Sequence, residues 1–130
     1  MSLLSTSAED PFEIVRTLGL RLADVRAAMK YDGSPVLKRG GKFVAGIAAH
    51  PSAEPNTLVI RSDKQNRDLL IDEAPEIYYV TDHYRKHPVV LVRLSHIDED
   101  SLRELLTVSW RLSRNHRELT KRGKADRVSG

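Results

Sequence analysis

Two clusters of cationic side chains flank turn-forming residues in this chain, Lys38-Arg39-Gly40-Gly41-Lys42 and His83-Tyr84-Arg85-Lys86-His87. The chemistry such clusters offer is phosphate binding, because each Lys or Arg set against a nucleic-acid backbone displaces condensed counterions. Gly40-Gly41 tolerates the positive φ that a tight two-residue hairpin turn demands, which predicts the first cluster at a hairpin tip. The second cluster falls in the longer loop Asp82 to Pro88 of a second predicted hairpin. The candidate nucleic-acid-binding residues are therefore Lys38, Arg39, Lys42, Arg85, Lys86 and His87. Charged residues at exposed turns also serve solubility, so the shared sign of the two tips carries the argument.

Other reactive side chains group less well. His83 and His87 stand four apart, a spacing that suits a metal on a helix, but Pro88 argues for a loop and no third ligand is offered. No metal is expected there, and His50 and His96 read as loop histidines. There is no Ser-His-Asp order, Gly-rich phosphate fingerprint or H-E-x-x-H pattern, so no catalytic residue, cofactor or enzymatic activity is expected. Asp98-Glu99-Asp100 reads as carboxylates in a helix's first turn, where the dipole favours them. The chain has no Cys, which excludes disulfides, thiol catalysis and thiolate metal sites together.

The elements that position the clusters follow from local pattern. Asp10-Pro11-Phe12-Glu13 has the order of a cap, a first-turn proline and a reaching carboxylate, and starts a helix over about 10–18. Ile14, Val15 and Leu18 form its inward face, and Gly19 suits a left-handed C-terminal position. A period of two from Val25 places Val25, Ala27, Met29 and Tyr31 on one face of a half-buried strand. Strands over Val36 to Arg39, Lys42 to Ala48 and Thr57 to Arg61 follow, with Phe43, Ala45 and Ile47 together on one face. Asp63 can cap a helix over about 63–73 that turns Leu69 and Leu70 inward. Ile77 to Thr81 and Val89 to Leu94 form the second hairpin. Asp98 caps a last helix over about 98–117, with Ile97 stapled on Leu102 and Trp110 in the core. The order α-β-β-β-β-α-β-β-α predicts an α+β fold, an antiparallel sheet with helices on one face and two hairpin wings. The other face is expected to be open.

Length and charge bound the rest. At 130 residues the chain is one domain's worth, read as a single domain over 10–117 between a disordered N-terminus, 1–9, and a flexible basic tail, 118–130. Residues 1 to 110 hold 14 Lys or Arg against 16 Asp or Glu, whereas residues 111 to 130 hold 7 against 2. The net charge of +3 thus comes from the end of the chain, and the body is mildly acidic. No apolar run is long enough to cross a bilayer, and a cytoplasmic monomer is expected.

Lys30-Tyr31 with Gly33, Pro35-Val36, Gly40-Gly41-Lys42-Phe43, the helix near Asn66 to Ile71, Tyr84-Arg85-Lys86-His87, and Leu102-Arg103-Glu104-Leu105-Leu106 to Trp110 together resemble the MmcQ/YjbR family over about residues 10 to 115. The resemblance implies a small α+β fold similar to secretion chaperones and the bacterial frataxin CyaY, with two wings and DNA binding. It implies no catalytic residue. Many members carry Trp after the Lys-His of the second wing, where this chain has Pro88. The frataxin likeness would imply iron on an acidic ridge, but the first helix offers only Glu9, Asp10 and Glu13, so iron is not expected. The function expected is weak, non-specific DNA binding through the wings and tail. The alternative is a protein-interaction module, similar to secretion chaperones and without enzymatic activity, that uses the open sheet face or the partly apolar surface around Val89 and Leu91.

Overall fold

The structure, a computed structural model, describes residues 10–113. Helix α1 (Phe12–Gly19) leads into strands β1 (Val25–Met29), β2 (Pro35–Arg39), β3 (Lys42–Ile47) and β4 (Thr57–Arg61). Helix α2 (Lys64–Glu73), β5 (Tyr78–Tyr79), a one-turn helix α3 (Asp82–Arg85), β6 (Val89–Arg93) and α4 (Glu99–Leu112) complete it. The six strands form one antiparallel sheet in the order β1-β2-β3-β4-β6-β5. The expected α+β architecture is thus present, with α3 added inside the second hairpin. The tails at 1–9 and 118–130, and the expected last turns of the final helix, lie outside the described residues.

The main core lies between one sheet face and α1, α2 and α4. Phe12, Val15 and Leu18 from α1 meet Leu37, Leu58, Ile60, Val90 and Val92 from the sheet and Leu102, Leu105 and Leu106 from α4. Asp98 caps α4 by accepting the Ser101 N–H at 3.0 Å, and the Ser101 hydroxyl, which donates at 2.7 Å, together with that N–H holds its carboxyl below the usual carboxylate range. Asp63 caps α2 in the same way through Asn66. Asp10 accepts from the Phe12 N–H at 3.1 Å, as a residue before a first-turn proline should.

Several side chains point elsewhere than their spacing suggests. Ile14 is exposed while Phe12 is buried, so the inward stripe of α1 is 12, 15 and 18. Gly19 is helical; a Cβ there would lie 2.4 Å from Leu37 Cδ1, so the glycine serves close helix–sheet approach rather than a left-handed cap. In α2, Leu69 is exposed and the buried residue is Arg67. Only Val25 of β1 is buried; Ala27 and Met29 face solvent because β1 is an edge strand that α1 does not cover. The β2–β3 register shifts between Leu37 and Lys38, whose partners are Ala45 and Phe43. The extra residue, Val44, is a bulge that lets Val44 and Ala45 both enter the main core and sends Phe43 to the opposite face.

That opposite face is covered over β4 and β6. Val59, Val89 and Leu91 are buried there beneath Phe43, Ala48, Ala53, Tyr79 and Tyr84. The apolar docking surface expected around Val89 and Leu91 is therefore absent, because α3 and the loop at 48–56 fold over it. Among the described residues no helix is long and apolar enough to cross a membrane.

Candidate nucleic-acid interface

The antiparallel ladder fixes where the cationic residues lie. The β2–β3 turn, the end of β4 and the start of β6 share one end of the sheet, since Ala45 faces Ile60 and Arg61 faces Val89. Arg61 Nε also donates to the Phe43 carbonyl at 3.1 Å. The α2 N-terminus follows β4 at this end, and Ser113 after α4 donates to the Phe43 carbonyl at 2.8 Å. Both predicted tips therefore adjoin the same end of the sheet, on strands β3 and β6 that flank β4. The turn itself has φ of 55° at Gly40 and 84° at Gly41, as a type I′ hairpin requires.

Within this end the six predicted residues differ in availability. Lys38, Lys42, Arg85, Lys86 and His87 are exposed. Arg39 is half-buried; its guanidinium lies 4.3 Å from the Trp110 ring centroid and Nη1 donates to the Trp110 carbonyl at 3.0 Å. It braces the first tip on α4, and Trp110 is correspondingly a half-buried flank residue rather than full core, with Nε1 donating to Ala23 O at 2.8 Å. Arg85 lies 3.6 Å from Asp82. Lys38, Lys42 and Lys86 have no carboxylate within ion-pair distance among the described residues.

A seventh cation joins them. Arg26 stands directly opposite Lys38 in the β1–β2 register, both exposed and on one face. Like charges set opposite on a sheet oppose folding, so this pair has no stabilising role. Sequence could have found it: a hairpin turning at Asp32-Gly33 pairs positions that sum to 64. The opposite end of the sheet has the contrary character. Asp10, Glu13, Asp32, Glu54, Glu76, Asp98, Glu99 and Asp100 gather there, and Arg16, Arg93 and Arg103 are each ion-paired. Arg93 grips Glu54 through two nitrogens, which holds the Glu54 carboxyl below its usual range. The body is thus polarised along its strands, which its mildly acidic total conceals.

The second tip, expected as a loop, has an internal scaffold built on α3. Pro88 lies three residues beyond the helix end at Arg85, far enough to leave room for the one-turn α3. The His50 and His83 rings stack with centroids 3.5 Å apart, and the Tyr84 hydroxyl accepts from the His50 N–H at 3.2 Å. His83 and His87 rings are 6.2 Å apart, and no group of three or more metal-ligating side chains forms among the described residues. Partial burial first, then the nearby His50 and Lys86, push the His83 imidazole below its ordinary value of 6.5. The folded state therefore binds this proton less readily than the unfolded one. The resulting stability is complete above that ordinary value and declines as pH falls below it. Thermal melts at about pH 5.5 and pH 7.5 check this: the midpoint should be lower in acid, and His83→Asn should narrow the gap. An equal gap in the variant would assign the acid loss to other groups.

Residues 20–112 match the YjbR family, and the chain belongs to it. Uncharacterised proteins of Mycobacterium tuberculosis and Mycobacterium bovis are each 41% identical to it over 76 residues, 58% of this chain. The match spans 59% of each relative's length. No solved structure matches the chain.

Proposed function

We propose that the protein binds the phosphate backbone of duplex DNA, weakly and without sequence preference, through the cationic end of its sheet. The observation that carries the reading is the placement of Arg26, Lys38, Lys42 and Lys86, without carboxylate partners among the described residues, along one end of the sheet of a polarised body. A phosphate set between Arg26 and Lys38 would turn their mutual repulsion into a favourable contact. Arg85 and His87 flank this set on the second tip, and Arg39 holds the first tip against Trp110. Phosphate contacts carry no sequence information, which is why the reading is one of non-specific binding. It assigns a binding role and no catalysis, cofactor or metal.

The test is fluorescence anisotropy of a labelled random duplex at low salt. Changing Lys38, Lys42 and Lys86 to Ala should weaken binding by about tenfold per lost contact. Arg103→Ala, at the acidic end, should leave binding unchanged. Equal affinities for the triple variant and the wild type would sink the proposal.

A further inference from the structure

The outer edge of β1 is unpaired among the described residues and carries exposed apolar side chains, Ala27, Ala28 and Met29, the last 74% exposed. An edge of this kind is a template for another strand, and natural proteins usually blunt it. Its backbone polarity can be read from the adjoining turn. Lys30 donates its N–H to Ser34 O at 2.9 Å and accepts from the Gly33 N–H at 2.8 Å, so its groups face β2. Alternation along the strand then turns the N–H and C=O of Ala28 and Arg26 toward β2, and those of Val25, Ala27 and Met29 outward.

We infer that β1 pairs antiparallel with β1 of a second copy, about a two-fold axis at Ala27, to form a continuous sheet across a homodimer. Two features of the strand select this partner and register. Ala27 exchanges backbone hydrogen bonds with Ala27 of the second copy, and each Met29 N–H meets a Val25 carbonyl, so outward-facing groups meet outward-facing groups. Arg26 falls opposite the uncharged Ala28 on both sides of the axis, while Asp24, at φ 64, lies before the strand and takes no part in the register. Sliding the pairing by two residues in one direction sets Arg26 against Arg26, and in the other sets Arg26 against Lys30. The charge pattern thus favours the fully overlapped register and penalises both neighbours. A C2 interface is self-complementary in this way, one patch meeting its own copy.

Side chains fit the same register. Met29 lies on the α1 side of the strand with Val25 and Ala27, over a shallow groove lined by Asp10, Arg16 and Pro35. In the dimer each Met29 lies beside Val25 of the other copy and caps the one buried residue of the strand. Because the strands run antiparallel, the two cationic ends point in opposite directions. The dimer does not rest on the DNA-binding reading, although both use β1 through Arg26, and it replaces the monomer that the sequence suggests.

Sedimentation equilibrium on the full chain, with amide hydrogen exchange on the same samples, tests the inference. The wild type should be a dimer at about 100 μM, with Ala27 and Met29 amides whose protection rises with concentration. Ala27→Pro removes the central outward donor while sparing the β1–β2 ladder, and should give a monomer with an unchanged circular dichroism spectrum. Ala28→Arg, at an exposed position, sets Arg against Arg26 of the second copy on both sides of the axis and should raise the dimer dissociation constant by about tenfold or more even if the proline variant fails to fold. A wild type that stays monomeric at that concentration overturns the inference. So does a dimer that Ala28→Arg leaves intact, or Ala27 and Met29 amides that exchange freely at every concentration.

Discussion

Replacing Arg67 with Met should cost about 2–4 kcal/mol of stability, because its guanidinium is an internal donor that three carbonyls depend on. Arg67 is 4% exposed, and Nη1 donates to the carbonyls of Arg85, His87 and Val89 at 3.3, 3.1 and 3.1 Å. Its Nε has no partner in the structure, so the site is not ideal. Met keeps most of the aliphatic volume and removes the donors. An unsatisfied buried carbonyl costs about 1–3 kcal/mol, against which relief of the buried charge returns a part. That balance sets the estimate below the simple sum for three carbonyls. The loss should concentrate in the second tip, since these bonds fasten residues 85 to 89 to α2. Urea denaturation of the variant gives the total, and amide exchange at Arg85 to Val89 gives the location. A loss under about 0.5 kcal/mol would mean that water replaces the guanidinium freely and the segment does not need it.

Trp110→Ala should cost about 3 kcal/mol, the lower part of the range for buried aromatics, since the indole is half-buried. It also removes the platform under Arg39 and the donor to Ala23 O, which together fix the first tip and the approach to β1. Trp110→Phe keeps most of the ring and should cost about 1 kcal/mol for the lost hydrogen bond. A double-mutant cycle with Arg39→Ala should return a coupling of about 0.5–1 kcal/mol for the stacked cation. No coupling would show that Arg39 does not lean on the ring, and would return it to the set of freely available cations.

The particular residues show what sequence could resolve. Asp63 and Asp98 announce their helices because a cap acts within four residues of itself, and Gly40-Gly41 announces its turn because positive φ is a local demand. The Val44 bulge was hidden: its carbonyl is met by Ser109 Oγ from α4, 65 residues away, and that of Phe43 by Ser113 and Arg61. Without the bulge, alternation wrongly groups Phe43 with Ala45. Arg67 was hidden for the same reason, as nothing in an Asn66-Arg67-Asp68 run signals three distant carbonyls. Of the candidate interface, Lys38, Lys42, Arg85 and Lys86 could be read as tip residues. Their shared end of the sheet could not, because it depends on β4 lying between β3 and β6. The charge split along the chain pointed to the end of the sequence, whereas the polarity of the body runs along its strands.

The salt dependence of DNA binding tests the central claim most directly. Anisotropy should be followed across a salt series for the full chain, for a chain ending at His116, and for a variant with Arg26, Lys38, Lys42 and Lys86 changed to Ala. Each phosphate contact contributes about −0.9 to the slope of log K against log salt. If the sheet end is the binding surface, the variant's slope should be shallower by up to about 3.6, and the chain ending at His116 should still bind. A variant that keeps the full slope while the shortened chain loses binding would assign the affinity to the cations beyond His116, and no binding by the full chain at about 50 mM salt would remove the DNA reading altogether.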